Sequence, residues 1–241
     1  MPYISLILVV FLFLSGCAVH SGVWNGYGKS HLPDGSVYEG NFIDGQFNGE
    51  GMLKRKNGDE YIGEFKNGVK HGYGDLHLSN GYIFKGQFSD GVIHGIGTAE
   101  TNNGSHYKGD FIHGLREGHG VLVEPGMGHY EGGFKKDRFE GYGKYIFENG
   151  NVFEGEFVDG YWSGNGVLSL NGGIKYEGEF KGGRYHGEGK LSFPDGEFYI
   201  GEFQSGMRHG EGVCIKAGVV ARCVYQYNRQ VSYEVLNAIY L

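Results

Sequence analysis

The chain has 241 residues, of which 48 are glycine, 4 proline, 18 tyrosine and 17 phenylalanine. Scarce proline and no three-residue glycine period exclude collagen, and so many aromatics argue against simple disorder. The formal charge is −7 with acids and bases interspersed, which excludes the basic footprint of a nucleic-acid binder and does not favour anionic head groups.

The first element in chain order is an apolar run, residues 3–14, bounded by Ser15-Gly16-Cys17. Twelve helical residues rise about 18 Å, short of a bilayer core of roughly 30 Å, so the run reads as the hydrophobic region of an export signal spanning 1–16. Leu14-Ser15-Gly16-Cys17 resembles the bacterial lipobox, although Met1-Pro2-Tyr3 contributes no Lys or Arg. That resemblance implies a lipidated Cys17 as the mature N-terminus. With Ala18 after it, the resemblance also implies an exported outer-membrane lipoprotein facing the periplasm.

A half unit follows within 17–37, from Gly26-Tyr27-Gly28 to Asp34-Gly35, and is expected to cap what comes next. From residue 38 the chain repeats every 23 residues without insertion, with units starting at Tyr38, Tyr61, Phe84, Tyr107, Tyr130, Phe153, Tyr176 and Tyr199. Position 5 of each unit is Phe (42, 65, 88, 111, 134, 157, 180, 203), and positions 3, 12 and 14 are Gly throughout. Position 8 is Gly except for Asp137. The pattern Tyr-x-Gly-x-Phe-x-x-Gly-x-x-x-Gly-x-Gly resembles the MORN repeat family over 38–221. Membership implies an all-β fold, an elongated single-layer antiparallel sheet of consecutive 23-residue hairpins.

The residues lead to hairpins without the family. Positions 1, 3 and 5 share one strand face because side chains alternate with period 2. Unit ends such as Pro33-Asp34-Gly35, Lys56-Asn57-Gly58 and Pro194-Asp195-Gly196 suit a three-residue loop closing on a left-handed Gly. An odd period then requires the other loop to be even. With the three-residue loop at positions 19–21, constant phase pairs position 1 with 16, 3 with 14 and 5 with 12, leaving an even loop over about 6–11. Tyr38 then faces Leu53, Gly40 faces Gly51 and Phe42 faces Gly49, with rings over bare glycine backbone. Sixteen such strands span roughly 75 Å. No second layer is evident, so the sixteen rings Tyr38, Phe42, Tyr61, Phe65, Phe84, Phe88, Tyr107, Phe111, Tyr130, Phe134, Phe153, Phe157, Tyr176, Phe180, Tyr199 and Phe203 form a row that serves binding or structure. Asp137 and Pro125-Gly126-Met127-Gly128 interrupt the pattern midway.

Residues 222–241 are expected to cap the far end, with a short helix over 232–241 carrying apolar positions 235, 236 and 239. Cys214 and Cys223 are disulfide candidates. A two-residue loop at Gly218-Val219 would set them opposite each other, whereas a three-residue loop would set Cys214 against Arg222.

No catalytic motif, cofactor loop or metal-ligand spacing occurs. His71, His94, His186 and His209 all fall at position 11, and equivalent residues of successive units lie about 9.6 Å apart, too far to share a zinc ion. They read as polar loop residues, Lys54-Arg55-Lys56 as a solvated turn, and Glu154, Glu156, Glu177 and Glu179 as the solvent side of the sheet. The expectation is a non-catalytic, membrane-anchored scaffold without cofactor or metal. It presents its aromatic face to a protein partner, which the family resemblance extends to a second copy. A lipid or membrane-surface binder and a cell-wall carbohydrate binder are the alternatives.

Overall fold

The computed structural model describes residues 24–238. The signal segment, the Cys17 lipobox and the last three residues lie outside them. Two compact units divide between Leu115 and Arg116, and among the described residues every regular element is a strand. The first unit holds β1 (Gly26–His31), β2 (Val37–Ile43), β3 (Gln46–Lys54), β4 (Glu60–Lys66), β5 (Val69–His77), β6 (Ile83–Ser89), β7 (Val92–Glu100) and β8 (His106–Ile112). In the second are β9 (Leu115–Glu124), β10 (Gly128–Lys135), β11 (Arg138–Phe147), β12 (Val152–Val158), β13 (Tyr161–Ser169) and β14 (Lys175–Lys181). It continues with β15 (Arg184–Ser192), β16 (Phe198–Gln204), β17 (Met207–Lys216), β18 (Val219–Gln226) and β19 (Arg229–Ala238). Within each unit consecutive strands pair antiparallel, β1 with β2 onward in the first and β9 with β10 onward in the second. The fold is the all-β run of hairpins.

Two of the three expected pairings occur. Tyr38 opposes Leu53 and Gly40 opposes Gly51, and the same register recurs at Tyr61–Leu76 and Tyr176–Leu191. The three-residue loops also form: Leu32 N–H donates to Ser36 O at 2.8 Å around Pro33-Asp34-Gly35, and Arg55, Leu78, Phe147 and Phe193 close equivalent loops. An Asx bond stiffens them, as where Ser36 N–H donates to Asp34 Oδ1 at 2.8 Å.

The third pairing differs. Phe42 opposes Phe47 rather than Gly49, across a two-residue turn at Asp44-Gly45. Both turn residues have positive φ, 50° and 73°, the signature of a type I′ turn whose twist matches the flanking strands. Asn67-Gly68, Asp90-Gly91 and Asp159-Gly160 repeat it. Instead of a six-residue loop, the even parity comes from this turn plus a bulge between Gly40 and Phe42. Position 12 is Gly because the bulge holds it left-handed, as at Gly49 (φ 66°) and Gly187 (φ 53°). Its cross-strand neighbour is the next unit's Phe, Gly49 against Phe65.

At the C-terminus the expected helix is a strand. Arg229–Ala238 pairs with β18 through a Tyr227-Asn228 turn, also with positive φ at both residues. Alternation at Val231, Tyr233 and Val235 carries the strand period, and the sheet edge offers ladder bonds that an isolated last turn would lack. Cys214 and Cys223 are joined as a disulfide with Cα atoms 6.1 Å apart, but not in the expected register. The turn is Ala217-Gly218, so Cys214 opposes Ala221 and Cys223 opposes Gly212.

Candidate interaction surface

The rings of positions 1 and 5 form the core of both units, not an uncovered row. Tyr38, Phe84, Tyr130, Phe153 and Tyr176 are 0% exposed, and the position-5 phenylalanines are all buried. Ring follows ring edge-on, Tyr38 to Phe42 at 5.0 Å and to Phe65 at 5.1 Å, and likewise Tyr176 to Phe180 and Phe203. Beneath them lies glycine backbone. A Cβ on Gly40 would sit 2.5 Å from the Tyr38 hydroxyl and 2.5 Å from Cα of Gly51. The buried hydroxyl serves the backbone carbonyls beside the bulge: Tyr38, Tyr61 and Tyr176 each donate at 2.9 Å to the carbonyl of position 4, and those of Tyr61 and Tyr176 also reach the position-11 carbonyl, His71 O at 3.4 Å and His186 O at 3.3 Å. Burial pushes the Tyr38 and Tyr199 phenols up to about 12 and those of Tyr61, Tyr130 and Tyr176 higher still.

What covers this core is position 10, a residue that varies. The turn of each unit leans on its predecessor, position 8 N–H donating to the position-10 carbonyl: Gly68 to Phe47, Gly91 to Lys70, Gly160 to Phe139 and Gly183 to Trp162, each at 2.9 Å. This curls position 10 over the position-1 ring of its own unit. Phe47 stacks on Tyr38 at 3.7 Å in the first unit. Phe139 stacks on Tyr130 at 3.9 Å, Trp162 on Phe153 at 4.5 Å and Tyr185 on Tyr176 at 3.9 Å in the second. Lys70 instead places its ammonium 5.0 Å from the Tyr61 ring centre, and burial beside Arg55 holds its pKa below the usual lysine value.

These covering residues are half-buried, and they make a surface distinct from the predicted one. In the second unit Phe139, Trp162 and Tyr185 occupy three consecutive repeats. Arg116, 5.3 Å over Phe134, stands at one end and Arg208, 4.3 Å over Tyr225, at the other. Phe147 extends the apolar area beside Trp162, 6.0 Å away edge-on. Asp137, where position 8 departs from Gly, keeps a positive φ of 67° and accepts the Arg116 Nε–H at 3.0 Å. The irregularity thus orients one of the flanking cations. Sequence reasoning passed over position 10 because nothing in it repeats.

The other sequence candidates have local structural roles. Glu179 accepts the Glu188 N–H at 3.1 Å and lies over Gly187, and Glu64 accepts the Tyr73 N–H at 2.9 Å over Gly72, so position 4 braces the bulge. The position-11 histidines lie along the turn edge, and no group of three or more His, Cys, Asp or Glu side chains converges among the described residues. Large apolar side chains such as Tyr27 and Tyr73 are exposed on the opposite face, where Ile200 and Val213 also oppose each other across the β16–β17 ladder.

The family model described as MORN repeat matches nine segments: 19–37, 38–60, 61–81, 84–106, 107–123, 130–152, 153–174, 176–198 and 199–217. The chain belongs to the MORN repeat family. No curated protein matches it in sequence. Among solved structures it is similar to the SAS-4 TCP domain of Drosophila melanogaster, solved in complex with a proline-rich motif of Ana2. That similarity has 11% identity and a TM-score of 0.41, over 80% of this chain and 99% of that one. A virginiamycin B lyase from Staphylococcus aureus shares 12% identity over 90% of this chain and 87% of its own, with a TM-score of 0.17. At these scores neither bears on function. The MORN array stands as a repeat-based interaction module, and no enzyme family matches the chain.

Proposed function

We propose that this MORN protein is a non-catalytic scaffold, anchored to a membrane through a lipidated Cys17, that engages a protein partner with the position-10 surface of its second unit. The observation that carries this reading is the half-buried row Phe139, Trp162 and Tyr185 between Arg116 and Arg208. Aromatic and arginine side chains of this kind dominate the energetics of protein interfaces. The core rings support the row from below and take no part in contact. The lipobox-like Leu14-Ser15-Gly16-Cys17 supports export and anchoring at the outer membrane.

Photo-crosslinking in the native envelope tests the surface. A photoreactive residue replacing Trp162 is expected to trap a discrete protein product that disappears in the Phe139→Ala/Tyr185→Ala background. The same group replacing Tyr142, exposed on the opposite face, is expected to trap none. Equal crosslinking from both faces, or crosslinking to phospholipid or glycan alone, contradicts the reading. Palmitate labelling of the wild type, absent from Cys17→Ala, checks the anchor.

A further inference from the structure

Successive units meet along the turn edge, where position 11 of one lies beside position 7 of the next. Asn25 Oδ1 accepts the Asp44 N–H at 2.8 Å, Glu117 accepts that of Lys136 and Glu140 that of Asp159, while the His209 and Tyr227 rings meet at 4.8 Å. Only one of these junctions pairs two imidazoles. His94, at position 11 of the third unit, faces His113, at position 7 of the fourth, with ring centres 5.4 Å apart and planes at 64°. The spacing between equivalent positions, which separates the histidines of position 11 from one another, does not apply here. The next turn folds back onto the preceding strand.

We infer that His94 and His113 form a binding site for a first-row divalent cation that prefers imidazole, such as zinc, nickel or copper. With metal–nitrogen bonds of about 2.1 Å, each ring centre would lie about 3.2 Å from the ion, so centres 5.4 Å apart subtend about 115°, near the tetrahedral angle. Both histidines sit on tied backbone. Gly95, next to His94, pairs with Phe111 across the ladder. The His113 turn is locked by Gly114 N–H donating to Ile93 O at 2.9 Å. His113 has a φ of 51° in this turn, which Asn also tolerates. Imidazole orientation about the Cβ–Cγ bond is soft, so either nitrogen of each ring can be turned to the ion. Two protein donors leave coordination positions open to water or to a donor from outside the chain.

Isothermal titration of the full chain with zinc chloride, and separately with nickel chloride, tests the site. One saturable equivalent is expected in the wild type, weakened by about tenfold or more in both His113→Asn and His94→Gln and unchanged in His186→Asn. His186 shares position 11, but position 7 of the repeat that follows it is Ser205. Calcium, which takes oxygen ligands, is expected not to compete. Absence of saturable binding, or binding of equal strength in His113→Asn, overturns the inference, as does competition by calcium. Circular dichroism of His113→Asn matching the wild type shows that loss of binding is not loss of fold.

Discussion

The two units are built on one core and finished differently. Tyr61 and Tyr176 occupy the same repeat position, are buried to the same degree and bond the same backbone carbonyl at the same 2.9 Å. Yet Lys70 covers the first and Tyr185 the second. What repeats in this chain is what folding requires: rings, glycines and turns. What does not repeat, position 10 above all, is free to differ from unit to unit and can carry recognition without disturbing the ladder. In the second unit that freedom yields consecutive aromatics, whereas in the first Phe47, Lys70 and Ile93 alternate in character.

The shared core gives the largest expected effect. Gly74→Ala and Gly189→Ala drive a methyl into the Tyr61 and Tyr176 rings; at Gly189 the new carbon would lie 2.6 Å from the ring Cζ. Each is expected to cost about 3 kcal/mol, the upper end for overpacking, and equally in both units; chemical denaturation measures it. The cover gives unequal effects. Tyr185→Ala removes a stacked, half-buried ring and is expected to cost about 2 kcal/mol, while Lys70→Ala costs under about 1 kcal/mol. Similar values for the two would mean the covers are equivalent and would erase the contrast. Tyr176→Phe is expected to cost about 1 kcal/mol, the loss of a hydroxyl shared between Glu179 O and His186 O, and no more because Phe84 and Phe153 already fill that position. Near neutral pH these phenols are protonated in both the folded and the unfolded chain, so stability does not vary with pH through them. A phenol near 10 in the unfolded chain and about 12 at Tyr38 and Tyr199 favours the folded state fully below pH 10 and loses that contribution between pH 10 and about 12. Absorbance titration near 295 nm is expected to show this phase arriving together with unfolding.

Much of this architecture is legible in the residues. The 23-residue period, the three-residue loops at Pro33-Asp34-Gly35 and its equivalents, and the pairings of Tyr38 with Leu53 and Gly40 with Gly51 follow from phase and parity. Parity does not distinguish a six-residue loop from a two-residue turn with a bulge. The deciding signal, Asp-Gly or Asn-Gly at 44–45, 67–68, 90–91 and 159–160, is the strongest short hairpin signature there is, and it also assigns Gly49 to the bulge. Curl is less accessible. Period 2 shows which side chains share a face but not that the turn of one unit bonds the next and closes position 10 over the rings. Hence the rings read as an uncovered row serving binding or structure, and the half-buried residues that cover them, Phe139, Trp162 and Tyr185, read as nothing in particular. The terminal strand was hidden by its length and by a Glu234-Val235-Leu236 stretch compatible with a helical turn, although Val231, Tyr233 and Val235 alternate.

The central claim is that position-14 glycines are bare because a ring occupies the space of their side chain. A double-mutant cycle between Gly189→Ala and Tyr176→Ala measures this directly, since the three nearest atoms to a Cβ on Gly189 all belong to Tyr176. Gly189→Ala is expected to cost about 3 kcal/mol beside the ring and under about 1 kcal/mol once the ring is gone, a coupling of roughly 2 kcal/mol. Additive effects of the two substitutions would contradict the account.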